Sequence, residues 1–539
     1  MARLQIITDA DCFVCQNERV IGEAIKNNEN IIVMSRGEHT LVFVSVVLNH
    51  IKVERSIYIP DENSCSSVEV NFPEIVKKLE RDLSVSEEDL SEAVFDEQGN
   101  RYSKDFSRLL IGANVACVDV LPSCKVICNY AFHNCTSLQL ISFPDNISYI
   151  GKGTFSGCES LQSIILPNRV LYIGGSAFSG CDSLKKLKIP EGLKTIGSWT
   201  FFACKSLESV DIPNGVTHIG EYAFSFCKSL REITIPQSVK DIEFRSFECC
   251  SSLQSVTFFY NLKIIDDEAF AHCTSLCSIT IPGSVWFIGK SAFIGCESML
   301  NMTISFGVSV IEESAFSFCR SLECVSIPNS VTTIRGKAFQ GCKALRNAYI
   351  SNRVSSIEDS VFEGCTSLES MQIPESVSSI QYGAFWGCTS MCYCSIPNNV
   401  RVIEPFAFYK CASLVRIDIP NNVHSIGESA FSKCVSLQTI AIPNGVRLIE
   451  EKTFMGCSSL CSIQISECFN TICEMAFWGC TSLKDIYLNI TDEFVFENKY
   501  VIHKNALPPS GVVHHSSSLL FLSELKEAFP AGWKFIADI

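Results

Sequence analysis

Thirty of the 539 residues are cysteines, and no other residue type in the chain has both the chemistry and the spacing to suggest a reactive site. A thiolate is a nucleophile and a metal ligand, and two thiols can close a disulfide. Sixteen of the cysteines stand 23 residues apart, from Cys135 to Cys480, each three residues after a phenylalanine. A line of ligands does not suit zinc, which gathers four around one point. On stacked strands, neighbouring thiols would sit about 4.8 Å apart with parallel side chains. Bonding every neighbour is awkward in that geometry, although scattered disulfides and a metal row remain open. A free cysteine otherwise behaves as a small, deeply buried hydrophobe, so the row is expected to be a reduced packing ladder. Elsewhere, Cys12-Phe13-Val14-Cys15 is a CxxC without a second pair at zinc-ribbon distance. His514-His515 falls in a stretch that reads as a solvated polar loop. No GxxxxGK[ST], GxSxG or HExxH run occurs. No catalytic residue, metal or cofactor is assigned.

What positions the cysteines is an internal repeat. Ala-Phe-x-x-Cys-x-Ser-Leu recurs, as at Ala177 to Leu184, Ala223 to Leu230 and Ala476 to Leu483. Its phenylalanine runs from Phe132 to Phe477 in sixteen copies, without insertion or deletion. The unit reads I-P-x-x-V-x-x-I-G-x-x-A-F-x-x-C-x-S-L-x-x-I-x, and a half copy, Leu121-Pro122 to Ile127, precedes the first full one. Leu207, Val210 and Ile212 fit a short strand with inward alternate residues. Pro213 ends it, because proline cannot donate to a ladder. Val216 and Ile219 begin a second extended segment. The glycine and the small alanine of the unit are expected to let the chain bend tightly around Phe224. One coil cannot bury its own apolar face, whereas stacked coils cover one another. The fold class expected is therefore a β-rich solenoid of sixteen 23-residue repeats.

This unit resembles the BspA-like leucine-rich repeats, also called the Treponema pallidum type. The resemblance is carried by the sixteen A-F-x-x-C-x-S-L blocks and their I-P-x-x-V-x-x-I partners, over residues ~120 to 488. The family occurs in bacteria and, in large numbers, in parasitic protists, and the resemblance implies a protist source. It also implies a surface protein that binds host or neighbouring-cell molecules, proteins or glycans. Spacing alone establishes only a solenoid.

The remaining composition narrows the partners. Net charge is −15, so neither nucleic acid nor an anionic membrane is expected as a partner. Acidic residues arrive before any apolar h-region forms at the N-terminus, and no secretory signal is read there. The longest apolar run, Leu41 to Leu48, falls short of the ~20 residues a membrane-spanning helix needs, so no transmembrane segment is expected. The compartment stays open between cell surface and cytoplasm, and the oligomeric state is not legible.

Residues 1–108 read as a small α+β N-terminal domain of no recognised family. Strands are expected at Ile31 to Val33, Leu41 to Leu48 and Ile57 to Ile59. A helix is expected from near Asn71 with Pro73 in its first turn, presenting Val76, Leu79 and Leu83. Ser86 and Asp89 look like a capping box for a second helix through Leu90 and Val94. The solenoid is assigned to 109–488. Residues 489–539 are expected to cap its open end, with a helix at Leu519 to Phe529 and a Gly532-Trp533-Lys534-Phe535 ending similar to the family's C-terminal caps.

The candidate binding surface is the outer face of the strands, eight and ten residues after each phenylalanine. It is a mostly uncharged Ser/Thr/Asn surface with three tyrosines, and such residues suit an exposed strand in any case. Tyr349, Tyr393, Arg416 and Asp418 are the candidate contact patch, because Tyr and Arg dominate binding hot spots. The function expected is a non-enzymatic binding scaffold, with adhesion by resemblance. The alternative is an intracellular interaction scaffold, favoured by apparently free thiols. An enzyme centred in residues 1–108 is the third reading.

Overall fold

The computed structural model describes the strands between residues 2 and 70 by their backbone. From residue 74 to 538 it describes the chain except 467–468, 470, 490–500, 504 and 517–521. The chain forms two compact units, Met1–Leu262 and Lys263–Ile539.

In the first unit, Ala2–Thr8 pairs antiparallel with Asn30–Met34 and parallel with Cys65–Val70. Cys12–Gln16 pairs with Arg19–Ala24 and with Gly37–Ser45, which pairs with Lys52–Ile59. The three expected strands are present as Asn30–Met34, Gly37–Ser45 and Lys52–Ile59. Ala2–Thr8, Cys12–Gln16, Arg19–Ala24 and Cys65–Val70 carry weaker alternation and are strands through their partners. The CxxC lies on Cys12–Gln16, and its side chains fall outside the described residues, as do residues 71–73, where the first helix was expected to start.

That helix spans Glu74–Leu83. Leu79 and Leu83 bury into a cluster with Leu110, Val126, Cys128 and Tyr172, so the helix seals the first coils. Ser86 forms the expected capping box: its N–H donates to Asp89 Oδ2 at 2.9 Å, and Asp89 N–H donates to Ser86 Oγ at 3.1 Å. The second helix is shorter than expected, Glu87–Ser91, because Val94–Phe95 pairs instead with Arg101–Tyr102. β-Branched and aromatic residues follow the strand partner available to them. Arg108–Ile111 then pairs parallel with Val126–Ile127 and joins this segment to the first coil.

From there each copy supplies two short strands to parallel ladders. In the first unit the strand that follows each A-F-x-x-C-x-S-L block pairs in strict register, as in Lys186↔Ser209 and Leu187↔Val210. The second segment pairs likewise, as in Thr195↔His218 and Ile196↔Ile219. Between the two, Pro213 ends the strand and its carbonyl accepts from Val216 N–H at 3.0 Å. Phe132, Phe155, Phe178, Phe201, Phe224 and Phe247 are fully buried and stack with centroids 5.2–5.4 Å apart. In the second unit the same ladder runs from Phe270 to Phe477 at 5.3–5.7 Å. Each buried ring contributes about 1.5–3 kcal/mol.

The sharp bend around each phenylalanine is not made by the glycine of the repeat. The backbone turns left-handed two residues before and two residues after the ring in every copy, as at Ser314 (φ 59°) and Phe318 (φ 60°) around Phe316. The glycine four residues before the ring serves close approach instead. A Cβ on Gly220 would meet the Ser198 nitrogen at 2.7 Å, and one on Gly427 would meet the Pro405 nitrogen at 2.4 Å.

At the far end of the second unit one more coil forms although its sequence has lost the repeat. Val501–Ile502 pairs with Thr471–Ile472, and Ser510–Ser516 pairs with Asp485–Asn489 and then with Gly532–Asp538. The expected C-terminal helix is Leu522–Ala528. Phe529 and Trp533 are buried, and the Trp533 indole N–H donates to the Pro508 carbonyl at 2.9 Å.

Candidate functional site

The sixteen-cysteine ladder is buried, and all twenty-six cysteines among the described residues are free thiols. Its role follows from the peptide of the core phenylalanine. Phe316 N–H donates to the Ala338 carbonyl of the next coil at 2.8 Å. Its own carbonyl accepts from Cys319 N–H at 3.4 Å and from the Cys342 thiol of the next coil at 3.2 Å. The same thiol contact recurs at 3.1 Å from Cys204 to Phe178 and from Cys457 to Phe431. The residue must be small, apolar enough to bury and able to donate, and cysteine meets all three needs. Burial pushes the thiols of Cys204, Cys342 and Cys434 up to about 12, which makes them poor nucleophiles. No group of three or more His, Cys, Asp or Glu side chains among the described residues could hold a metal ion.

Two other polar groupings are structural in the same sense. Arg108 clasps the first coil to the helices. It donates to the Asp82 carbonyl at 2.7 Å, to Asp89 Oδ1 at 2.7 Å and to the Ser84 carbonyl. His218 sits 3.3 Å from Glu243, and burial pushes its imidazole down to about 4.

The outer strand face lies open in both units. The strands Lys186–Lys188, Glu232–Thr234 and Asn347–Tyr349 each expose their first and third residues and bury the second. In the second unit Tyr349 and Tyr393 are 64% and 49% exposed. Register places Tyr393 directly beside Arg416, and Ser395 beside Asp418. Arg416 and Asp418 form an ion pair within one strand at 2.8 Å, with a second bond from Nε at 2.9 Å. Tyr349 stands apart, in the other column and two strands away, with Ser370–Gln372 between. The structure thus joins Tyr393, Arg416 and Asp418 and separates Tyr349 from them.

Beyond Asp418 the face sinks into an open concavity of about 550 Å³, lined by Arg416, Asp418, Thr439, Ala441, Ser462, Gln464 and Tyr487. His514 backs it. The reading of His514-His515 as a solvated loop is corrected: both lie on the strand Ser510–Ser516. His515 is buried, and His514 stacks on Tyr487 at 4.4 Å and bonds Asp485 at 3.1 Å. Parallel pairing Tyr487↔His514 ordered what the local sequence left polar and without alternation.

The turn edge carries aromatic clusters that the repeat pattern, which leaves those positions open, did not single out. In the first unit Trp199 stacks on Tyr222 at 4.1 Å, and Arg245 lies 4.9 Å over Phe244. In the second unit Trp386 stacks on Phe406 at 5.3 Å and meets Tyr409 edge-on at 4.9 Å. The signal available in the sequence was aromatic residues one position after, or two or three before, the core phenylalanine. Among the described residues no helix is long and apolar enough to cross a membrane.

Comparison with known proteins agrees with this architecture. No curated protein matches the chain. A leucine-rich repeat protein from Bacteroides ovatus ATCC 8483 shares 29% identity over 65% of this chain and 85% of its own, with a TM-score of 0.52. A leucine rich cell surface protein from Faecalibacterium prausnitzii A2-165 shares 24% over 74% and 95%, with a TM-score of 0.35. The Treponema pallidum leucine rich repeat protein shares 28% over 34% and 86%, with a TM-score of 0.30. The model of the BspA type leucine rich repeat region (six copies) matches residues 113–227, 194–321, 263–392 and 384–505. With most of its length so matched, on stacked phenylalanine and cysteine ladders, this chain belongs to the BspA-type leucine-rich repeat family.

Proposed function

We propose that the protein is a non-enzymatic adhesion scaffold at a cell surface, holding a macromolecular partner on its outer strand face. The observation that carries this reading is the division of labour in each copy. The sixteen phenylalanines and sixteen cysteines of the repeat are buried in the ladders, while the side chains that differ from copy to copy stand exposed on the strand face. Tyr349, Tyr393, Arg416 and Asp418 are the proposed contacts, with protein or glycan as the ligand. Residues 1–108 would form an N-terminal domain, 109–488 the solenoid and 489–539 its cap. Membrane-impermeant labelling of intact source cells tests the location. Labelling is the expected result, and no labelling when lysed cells do label would refute the surface reading. Tyr393→Ala with Arg416→Ala should weaken capture of the partner by about tenfold without lowering the melting temperature, and unchanged capture would remove the patch.

A second reading, an intracellular interaction scaffold, is favoured by the exposed free thiols of Cys277, Cys324, Cys392 and Cys461, since thiols persist in reducing compartments.

A further inference from the structure

The ten-stranded outer sheet of the second unit ends at the strand Gly532–Asp538. Along one edge this strand pairs with Ser510–Ser516, in unbroken register from Ser510↔Gly532 to Ser516↔Asp538. Along the other edge no strand lies beside it among the described residues. An open edge offers its N–H and C=O groups to any chain that can pair with it, and proteins usually blunt such edges by shortness, proline or a bulge. The last strand of the other ladder in this unit, Val501–Ile502, is only two residues long. Gly532–Asp538 has seven residues, no proline and no bulge. Near its middle Ile536 is 48% exposed, so the edge carries apolar surface as well as open peptide groups.

The residues of the strand say what fits the edge. Alternation puts Trp533 and Phe535 on the core face, buried and half-buried, and Lys534, Ile536 and Asp538 on the outer face. Lys534 and Asp538 stand two residues either side of Ile536. An antiparallel copy of the same strand, centred on Ile536, therefore sets Ile536 against Ile536, Phe535 against Ala537, and Lys534 of each copy against Asp538 of the other. Opposite charges directly across an antiparallel pair stabilise it, and like charges oppose it. Moving the centre to Phe535 sets Lys534 against Ile536 and Asp538 against Gly532, and moving it to Ala537 sets Asp538 against Ile536. One register alone matches charge with charge and isoleucine with isoleucine. We infer that this edge pairs antiparallel with the same strand of a second copy, forming a two-fold symmetric dimer. The contact is isologous, so it closes on itself instead of propagating into a fibre. Backbone bonds and the isoleucine contact supply the affinity, while the two exposed ion pairs, each weak, set register and direction. Tyr393, Arg416 and Asp418 lie on this same sheet. Pairing therefore puts two copies of that group on one continuous surface, where a ligand with repeated epitopes gains by avidity.

Only the gain in avidity rests on the strand face being the binding surface; the dimer itself does not. Sedimentation equilibrium of the full-length chain, from micromolar to submillimolar concentration, reads the association directly, and a monomer–dimer equilibrium is expected. Lys534→Asp and Asp538→Lys, each alone, set like charges across both symmetric pairs and should weaken dimerisation about tenfold. The double variant Lys534→Asp/Asp538→Lys restores opposite charges and should dimerise as the parent does. An equimolar mixture of the two single variants should form a mixed dimer, because each then meets its complement. Melting temperatures equal to the parent's check that the last strand still folds. A parent that stays monomeric, single variants that dimerise as tightly as the parent, or a folded double variant and a mixture that both fail to recover would overturn the inference. A monomeric parent leaves the strand face standing as the binding surface, and silent Tyr393 and Arg416 variants leave the dimer standing.

Discussion

Around each core phenylalanine and across the outer strand face, the same backbone carries two opposite sequence policies. Inside, ring, thiol and turn geometry recur copy after copy: Phe293 and Phe316 stack at 5.3 Å with planes 1° apart, and the Cys319 thiol reaches the Phe293 carbonyl at 3.4 Å. Outside, the strand beginning at Asn347 shows Asn and Tyr, and the strand beginning at Arg416 shows Arg and Asp. The inner positions each touch the next coil and must match it. The outer positions touch solvent and are held only by strand preference. The constrained side sets stability, and the free side is where recognition can differ from one copy to the next.

The strongest way to break that contrast acts on several inner copies together. Burial raises the thiols of Cys204, Cys342 and Cys434 from 9.0 to about 12. The folded chain therefore holds protons that the unfolded chain releases first. The thiol contribution is fully present below pH 9 and is lost as pH rises from 9 towards 12. Melting temperature followed across that window should fall steeply, and a flat profile would show that the thiols ionise in place. A single inner change is smaller: Phe316→Ala should cost about 3–5 kcal/mol in denaturant unfolding, because its ring lies between Phe293 and Phe339. Smaller again is Gly364→Ala. Its φ is +70° and the nearest atom to an added Cβ is 3.7 Å away, so the cost is backbone strain alone, about 1–2 kcal/mol. The smallest effect belongs to the outer face. Tyr349→Ala should move stability by no more than about 0.5 kcal/mol, and a larger loss would mean that the face also holds the fold.

The inner side was legible from the sequence because a strict period of 23 residues leaves one way to align the copies. Phe132 to Phe477 could be placed in a buried ladder, and the cysteines beside them, before any coordinates. The bend was misassigned: glycine is the usual mark of a left-handed residue, yet Trp199, Tyr222 and Lys337 hold that conformation here. Neighbouring coils bond the turn on both sides, which overrides local preference. The second helix ended early for a similar reason, since Val94–Phe95 found a strand partner in Arg101–Tyr102.

For the candidate site, alternation placed Tyr349, Tyr393, Arg416, Asp418 and Tyr487 on one exposed face without saying which of them meet. Parallel register set Tyr393 against Arg416 and left Tyr349 two strands away. The bracing of Tyr487 was beyond reach because it comes from His514, in a segment that has lost the repeat and meets Tyr487 through strand pairing.

The sequence by itself determined the coil, its period, its core and its exposed face, because identical copies bury identical side chains against one another and the pattern needs only counting. Only the tertiary structure decided where the chain turns left-handed, how the ladder thiols cap the phenylalanine carbonyls, and how the irregular C-terminal strand braces Tyr487. Each of those is a contact between residues about 23 or more positions apart, and it exists only once the coils have been stacked in register.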